Sequence, residues 1–312
     1  MSPSPYLAMA VGLCAVSTAA IFIRLALDEV DPLAVAAWRL AIASVVMIPL
    51  TALRGFTFPA DRTLRILTVA AGAALSVHFM TWVSSLDLTT VAASTTLVAT
   101  YPLMVALAAP VLLGEQPGRL TVLAGLLGLF GVLLIAVDDG NPLTGEVGGN
   151  VLALAGAAAA AVYFTLGRRV RPRFELLPFL SLVYGTAALI LVPIALVFAG
   201  DLFPSSAAGL LWLLLLGLVP QLIGHSSFNY ALGQLPATFV TIVILGEPLL
   251  STALAVIVLD EVPGVWLFLG MPVLLAAVAI ASFEEQRRRK LEQRGSRGAL
   301  EGDADTVVTV SP

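Results

Sequence analysis

Long apolar runs separated by short polar breaks make up almost the whole chain. Ten runs can be read, at about residues 5–27, 33–53, 63–84, 89–113, 119–137, 148–168, 176–198, 207–230, 236–259 and 263–283. Each is roughly twenty residues long, the length a helix rising about 1.5 Å per residue needs to cross a bilayer. The breaks carry turn-forming residues: Asp31-Pro32, Gly55 with Pro59, Glu115-Gln116-Pro117, Gly140-Asn141-Pro142, and Gly200 to Pro204. The pattern predicts an all-α integral membrane protein of ten transmembrane helices. Residues 284–312 form a polar tail, too hydrophilic to build a core and expected to be disordered.

The pattern also repeats. A shift of 146 positions lays residues 90–117 over 236–263, matching Pro102 with Pro248, Leu103 with Leu249, Ala109 with Ala255, Glu115 with Glu261 and Pro117 with Pro263. A shift of 144 matches Gly12 with Gly156, Arg24 with Arg168 and Pro49 with Pro193, and one of 147 matches His78 with His225. Two repeats are therefore expected, at 5–137 and 148–283. Each holds five helices, an odd number, so the second is expected to enter the membrane inverted. Inverted repeats are a route to alternating access, with the substrate site near the midplane where the halves meet.

Composition supports the membrane class. Hydrophobic residues make up 59% of 312 and charged residues 12%, about half the charge of a soluble domain. Cys14 is the only cysteine, so no disulfide can form within one chain. The first apolar run has no Lys or Arg before it and is long enough to span, which reads as a first helix rather than a cleaved signal. The net charge of −4 says little by itself, and nothing points to nucleic acid. Charge placement says more. Arg54, Arg62, Arg65, Arg119, Arg168, Arg169, Arg171, Arg173 and the six basic residues of the tail fall on one side of the predicted topology. The opposite loops carry acids only, so both termini are expected to be cytoplasmic, in the cell membrane.

Chemistry concentrates in few places. Glu247 lies about 17 Å from either end of its run at the α-helical rise, near the midplane. A carboxylate there is costly, and reads either as a proton-coupling or cation site or as an ion-paired packing residue. At the matching position the first repeat has Tyr101, beside Thr100. Pro248 cannot donate to the Ile244 carbonyl, nor Pro102 to that of Val98. Each break lines a cavity or simply kinks a helix for packing. Arg39 sits about 9 Å inside its run. It can snorkel outward, or turn inward to pair with Glu247 or take a substrate carboxylate.

His78 and His225 have no carboxylate at helical spacing, so no metal is expected. Core hydrogen bonding and a proton relay are the two readings. Gln221, His225 and Asn229, at i, i+4 and i+8, share one helical face beside Ser226 and Tyr230, and predict that the eighth helix lines the pore. Thr81, Trp82 and Ser85 extend the His78 face. Tyr163 and Tyr184 are weaker candidates. Gly125, Gly128 and Gly131 form a small-residue ridge, read as a packing device within the fold. Glu115 and Glu261 end their helices against the dipole and call for partners.

The chain from about 5 to 283 resembles the drug/metabolite transporter superfamily, in particular proteins built from two EamA-like domains. The resemblance rests on the ten-run count, the five-plus-five duplication, the endings VLLGEQP and IVLDEVP, the Arg of WRLA at 38–41, and Gly246-Glu247-Pro248. Asp260, where the first repeat has Gly114, departs slightly from it. The resemblance implies secondary transport, export or uptake, of small metabolites, amino acids or toxic compounds. Export is the expected direction, in a monomer or homodimer, with no cofactor and no enzyme activity expected. No GxxxxGK[ST] motif is present, in keeping with transport without ATP. Coupling to protons is a further expectation. A membrane-embedded enzyme acting on a lipid-linked substrate and a channel are the competing readings.

Overall fold

The computed structural model describes residues 4–55, 59, 61–88, 94, 97–136 and 147–259, and then 266, 268–270, 272, 273, 275–288 and 291. Glu261, the start of the fourth run, the 137–146 loop, most of the polar tail and the side chain of Pro248 lie outside the described residues. The described chain is helical, without strands. In order come α1 (Pro5–Leu27), α2 (Pro32–Leu53), α3 (Arg62–Leu88), α4 (Tyr101–Leu112), α5 (Arg119–Ala136), α6 (Val147–Val170), α7 (Leu176–Phe198) and α8 (Ala207–Leu232). Then follow α9, in two pieces (Ala237–Ile244 and Glu247–Leu259), and α10 (Phe268–Arg288). Among the described residues, seven helices are long and apolar enough to cross a membrane: α1, α2, α3, α6, α7, α8 and α10. The other three are apolar but shorter. Interruption is one cause, since α4 starts only after a turn at 99–100 and α9 is cut at 245–246.

The outward surface is apolar. Val45, Leu53, Leu107, Val111, Leu189 and Val197 all stand exposed, an arrangement that is stable against hydrocarbon and not against water. Inside, α3 lies along α6, α2 along α7, α1 along α8 and α4 along α9. Exchanging the first five helices with the last five turns the α1–α8 pair into α6–α3 and returns the other two pairs to themselves. The crossings themselves correspond. At α1–α8 a Cβ on Gly12 would stand 3.2 Å from the Gly224 carbonyl oxygen, and one on Gly224 only 2.6 Å from Val16 Cγ1. At α6–α3 a Cβ on Gly156 would stand 3.1 Å from Thr81 Oγ1. Small residues let backbones approach this closely, which is what packs helices when lipid offers no hydrophobic drive. The α5 ridge is used in the same way: Gly128 leaves room for Leu245 and Ala277.

Polar contacts close the ends. Asp31 caps α2 through Leu33 N (2.8 Å) and also accepts from Gly200 N (3.3 Å). Trp38 donates to the Leu202 carbonyl (2.9 Å) and stands edge-on to Phe203. Glu29 accepts from Ser205, from Ser206 N (2.9 Å) and from Ser206 Oγ (2.6 Å) at the start of α8. The Ser206 hydroxyl, first among these donors, holds its carboxyl below the usual carboxylate range. At the opposite end Arg168 pairs with Glu115 and donates to the Leu232 carbonyl (3.0 Å), while Glu115 accepts from Ala237 N (3.1 Å). One ion pair therefore ties together the ends of α4, α6, α8 and α9. Arg171 donates to the Asn229 and Phe174 carbonyls beside it, and burial pushes its guanidinium down to about 10.

Candidate functional site

The site is built around Arg39. Pro32 starts α2 and Asp31 caps it, so the helix carries Arg39 inward to a position only 1% exposed. Arg39 Nε donates to Gln221 Oε1 at 2.7 Å, and the guanidinium carbon lies 4.0 Å from the centroid of the Phe79 ring. The outward snorkel is thus not adopted. Neither is the direct pair with Glu247: among the described residues the ion pairs are Arg168–Glu115 and Arg288–Glu285. The physical reason is geometric. Gln221 and Phe79 already engage the guanidinium. Because a guanidinium can only donate, the Gln221 oxygen must face it and the Gln221 amide nitrogen must turn away.

α8 supplies the opposite wall, and its winding differs from expectation. Residues 217–225 form a π-helix, containing Pro220, before α-helical winding resumes at Ser226. Pro220 lacks the N–H that regular winding would use, and π-turns of this kind recur at functional sites. Gln221 and Asn229 remain fully buried and His225 partly so, hence the predicted polar face survives the change of winding. Asn229 Nδ2 donates to Tyr163 Oη (2.5 Å) and to the His225 carbonyl (2.7 Å). Tyr184 Oη donates to the Gln221 carbonyl (3.3 Å) and lies 3.1 Å from Ser226 Oγ. His225 meets Phe79 edge-on at 5.4 Å and Tyr163 at 6.3 Å between ring centroids. His78 is hydrogen-bonded within the interior. Its Nδ1 lies 2.9 Å from the Gly156 carbonyl, which can only accept, and its ring stacks on Trp82.

The two helix breaks flank this cluster. In α9, Leu245 N bonds to the Ile242 carbonyl (3.1 Å) and Gly246 N to that of Val243 (3.0 Å). The helix then restarts at Glu247, placing the carboxylate in a first turn where the helix dipole favours it. Thr100 N makes the same short turn onto the Leu97 carbonyl (3.2 Å), and α4 restarts at Tyr101. Both restarts put a proline second, Pro102 and Pro248, where its missing N–H costs nothing. Tyr101 is buried and stacks on Phe164 at 5.5 Å. Glu247 is partly exposed at the start of the second piece of α9.

Several polar atoms in this interior are buried and unpartnered among the described residues: Arg39 Nη1, Gln221 Nε2, His225 Nδ1, Asn229 Oδ1, Trp82 Nε1 and Thr165 Oγ1. A settled core leaves few such groups. No group of three His, Cys, Asp or Glu residues that could hold a metal occurs among the described residues. A cleft lies elsewhere, lined by Glu115, Thr121, Thr238 and Glu284 among others, and neither Arg39 nor Gln221 lines it. Phe79 was not a candidate from sequence; an aromatic in an apolar helix carries no signal until Arg39 is seen against its ring. The Glu115–Arg168 tie was half visible, because an acid ending a helix needs a partner but the sequence does not name one.

This is a multi-pass membrane protein whose helices enclose a polar, incompletely hydrogen-bonded interior. A sequence model of the EamA-like transporter family matches it twice, at residues 3–137 and 147–283. The chain belongs to the EamA-like transporter family, in keeping with the drug/metabolite transporter superfamily. It is 24% identical over 199 residues to the uncharacterized transporter YdfC of Bacillus subtilis (strain 168), covering 62% of this chain and 63% of that one. The chain thus spans somewhat under two thirds of that relative. It is also 24% identical over 275 residues to an uncharacterized transporter of Archaeoglobus fulgidus, covering 86% of this chain and 93% of that one. A protein of known crystal structure superposes with a TM-score of 0.77 over 92% of this chain and 100% of its own, at 20% identity. That likeness concerns the fold alone.

Proposed function

We propose that this chain is a secondary active transporter of small organic metabolites, such as amino acids, or of toxic compounds. It works by alternating access around the Arg39–Gln221–Asn229 interior, with export as its direction and Glu247 as its proton-coupling group. In this reading all ten helices span the cell membrane as two inverted five-helix repeats, at 5–137 and 148–283, with both termini cytoplasmic. The double family match and the helix pairing that survives exchange of the halves support the duplication. The arginine-rich ends support the orientation.

The observation that carries the reading is the unpartnered polar interior. Its atoms come from α2, α3, α6 and α8, two helices from each half, so relative motion of the halves would rebuild it, as carriers with midplane sites require. Counterflow in proteoliposomes tests the reading. A carrier loaded with unlabelled substrate accumulates labelled substrate transiently without a driving gradient. Downhill leakage alone would indicate a channel, and chemical conversion of the substrate an enzyme. Either result overturns the proposal.

A further inference from the structure

The guanidinium of Arg39 is held on two sides. Phe79 covers one face of its plane, and Gln221 occupies Nε, so the group is rigid before any ligand arrives. What remains unsatisfied beside it is of one kind. Arg39 Nη1, Gln221 Nε2 and Trp82 Nε1 are all N–H donors, all buried and all without an acceptor among the described residues. Buried donors call for an acceptor, and a buried guanidinium calls for a negative one. His225 Nδ1 and Asn229 Oδ1, one and two turns farther along α8, can accept, which suits a hydroxyl or N–H on the body of a ligand.

Charge narrows the class. Arg39 brings a single positive charge to Gln221. A group with two negative charges would leave an excess in a low-dielectric site, whereas a single carboxylate would not. A cationic group would face the guanidinium. We propose that Arg39 and Gln221 form a recognition site for monocarboxylates, with the carboxylate on the Arg39 Nη1 and Gln221 Nε2 donors. This rests on the reading of the interior as a substrate site and adds the chemical class of the substrate.

The test measures binding apart from transport, by thermal shift and calorimetry on the purified protein in detergent. Probes are propanoate, butanoate and benzoate, their primary amides, and methyl phosphate. The acids are expected to bind at least about tenfold more tightly than the amides, the usual scale for a hydrogen bond to a charged group. Methyl phosphate is expected to bind more weakly than the acids. Gln221→Glu retains an oxygen for Arg39 Nε and neutralises the guanidinium from within. It is expected to weaken acid binding about tenfold or more without lowering the melting temperature of the free protein. Arg39→Lys keeps the charge but loses the planar fork, and is expected to weaken acids selectively. Amides binding as well as acids would overturn the proposal, as would acid binding unchanged by Gln221→Glu. If that variant does not fold, the acid–amide comparison on the natural sequence decides alone. Acid binding without counterflow would leave this site standing and remove the transport reading. Counterflow of other solutes with no acid binding would do the reverse.

Discussion

The restarts of α4 and α9 are the same backbone event made with different side chains. Both helices pause for two residues, at 99–100 and 245–246, then begin again with a proline in second place. In α4 the restarting residue is Tyr101, buried and stacked on Phe164. In α9 it is Glu247, partly exposed. The break is therefore common to α4 and α9, and the acid stands in only one of them. A second contrast runs through the related pairs α1–α8 and α6–α3. The first is irregular on both sides, with α1 interrupted at Ser17–Thr18 and α8 wound as a π-helix at 217–225, whereas α6 and α3 run as unbroken α-helices. Gln221, the residue that engages Arg39, sits in the irregular helix.

The largest effect should come from removing the acid while keeping the break. Glu247→Gln preserves shape and hydrogen bonding but cannot exchange a proton. It is expected to abolish flux driven by a pH gradient, by about 100-fold or more, the scale of losing a positioned acid or base. Counterflow, which needs no proton, should persist. The companion Tyr101→Phe removes only a hydroxyl from the matching position and should change either rate by no more than about threefold, the loss of one ordinary hydrogen bond. Coupled flux that survives Glu247→Gln would place the coupling elsewhere and erase the distinction between the two restarts.

A smaller effect, equal in the two halves, is expected from the prolines. Pro102→Ala and Pro248→Ala each restore an N–H that could bond to the Val98 or Ile244 carbonyl and extend the helix backward through its pause. If the pauses are hinges that alternate access uses, each substitution should slow turnover by about tenfold, a barrier increase near 1.4 kcal/mol, with substrate binding unchanged. Turnover in proteoliposomes, compared with binding in detergent, separates the two quantities. Slowing in only one variant would break the equivalence of the breaks.

Much of this was legible because membranes restrict what a chain can do. Apolar length gives helices, and the 146-residue self-match gives the repeated break. The i, i+4, i+8 spacing placed Gln221, His225 and Asn229 on one face, and the structure keeps them together. Contacts between helices were less legible. Nothing in the order of residues says that Arg39 stops at Gln221 rather than reaching Glu247, because that depends on how α2 and α8 lie against each other. The π-winding of α8 was hidden too, since Pro220 announces a disturbed bond but not which register replaces it. His78 and His225 match in sequence yet differ in setting: one is bonded to Gly156, while the other has an unpartnered Nδ1.

The smallest effect concerns the tie at the end of α4. Glu115 and Arg168 are both partly exposed, with side chains 17% and 20% accessible, so solvent screens part of their attraction. The pair nonetheless holds two further groups, Ala237 N and the Leu232 carbonyl, at the ends of α9 and α8. Each single substitution, Glu115→Gln or Arg168→Leu, should therefore destabilise the protein, and the double substitution should cost less than their sum. A double-mutant cycle in detergent is expected to give a coupling of about 1 kcal/mol. Substrate binding should be unaffected, because the tie does not touch Arg39 or Gln221. A coupling near zero would reduce the pair to a surface contact, and would leave the restarts of α4 and α9 joined only by their packing.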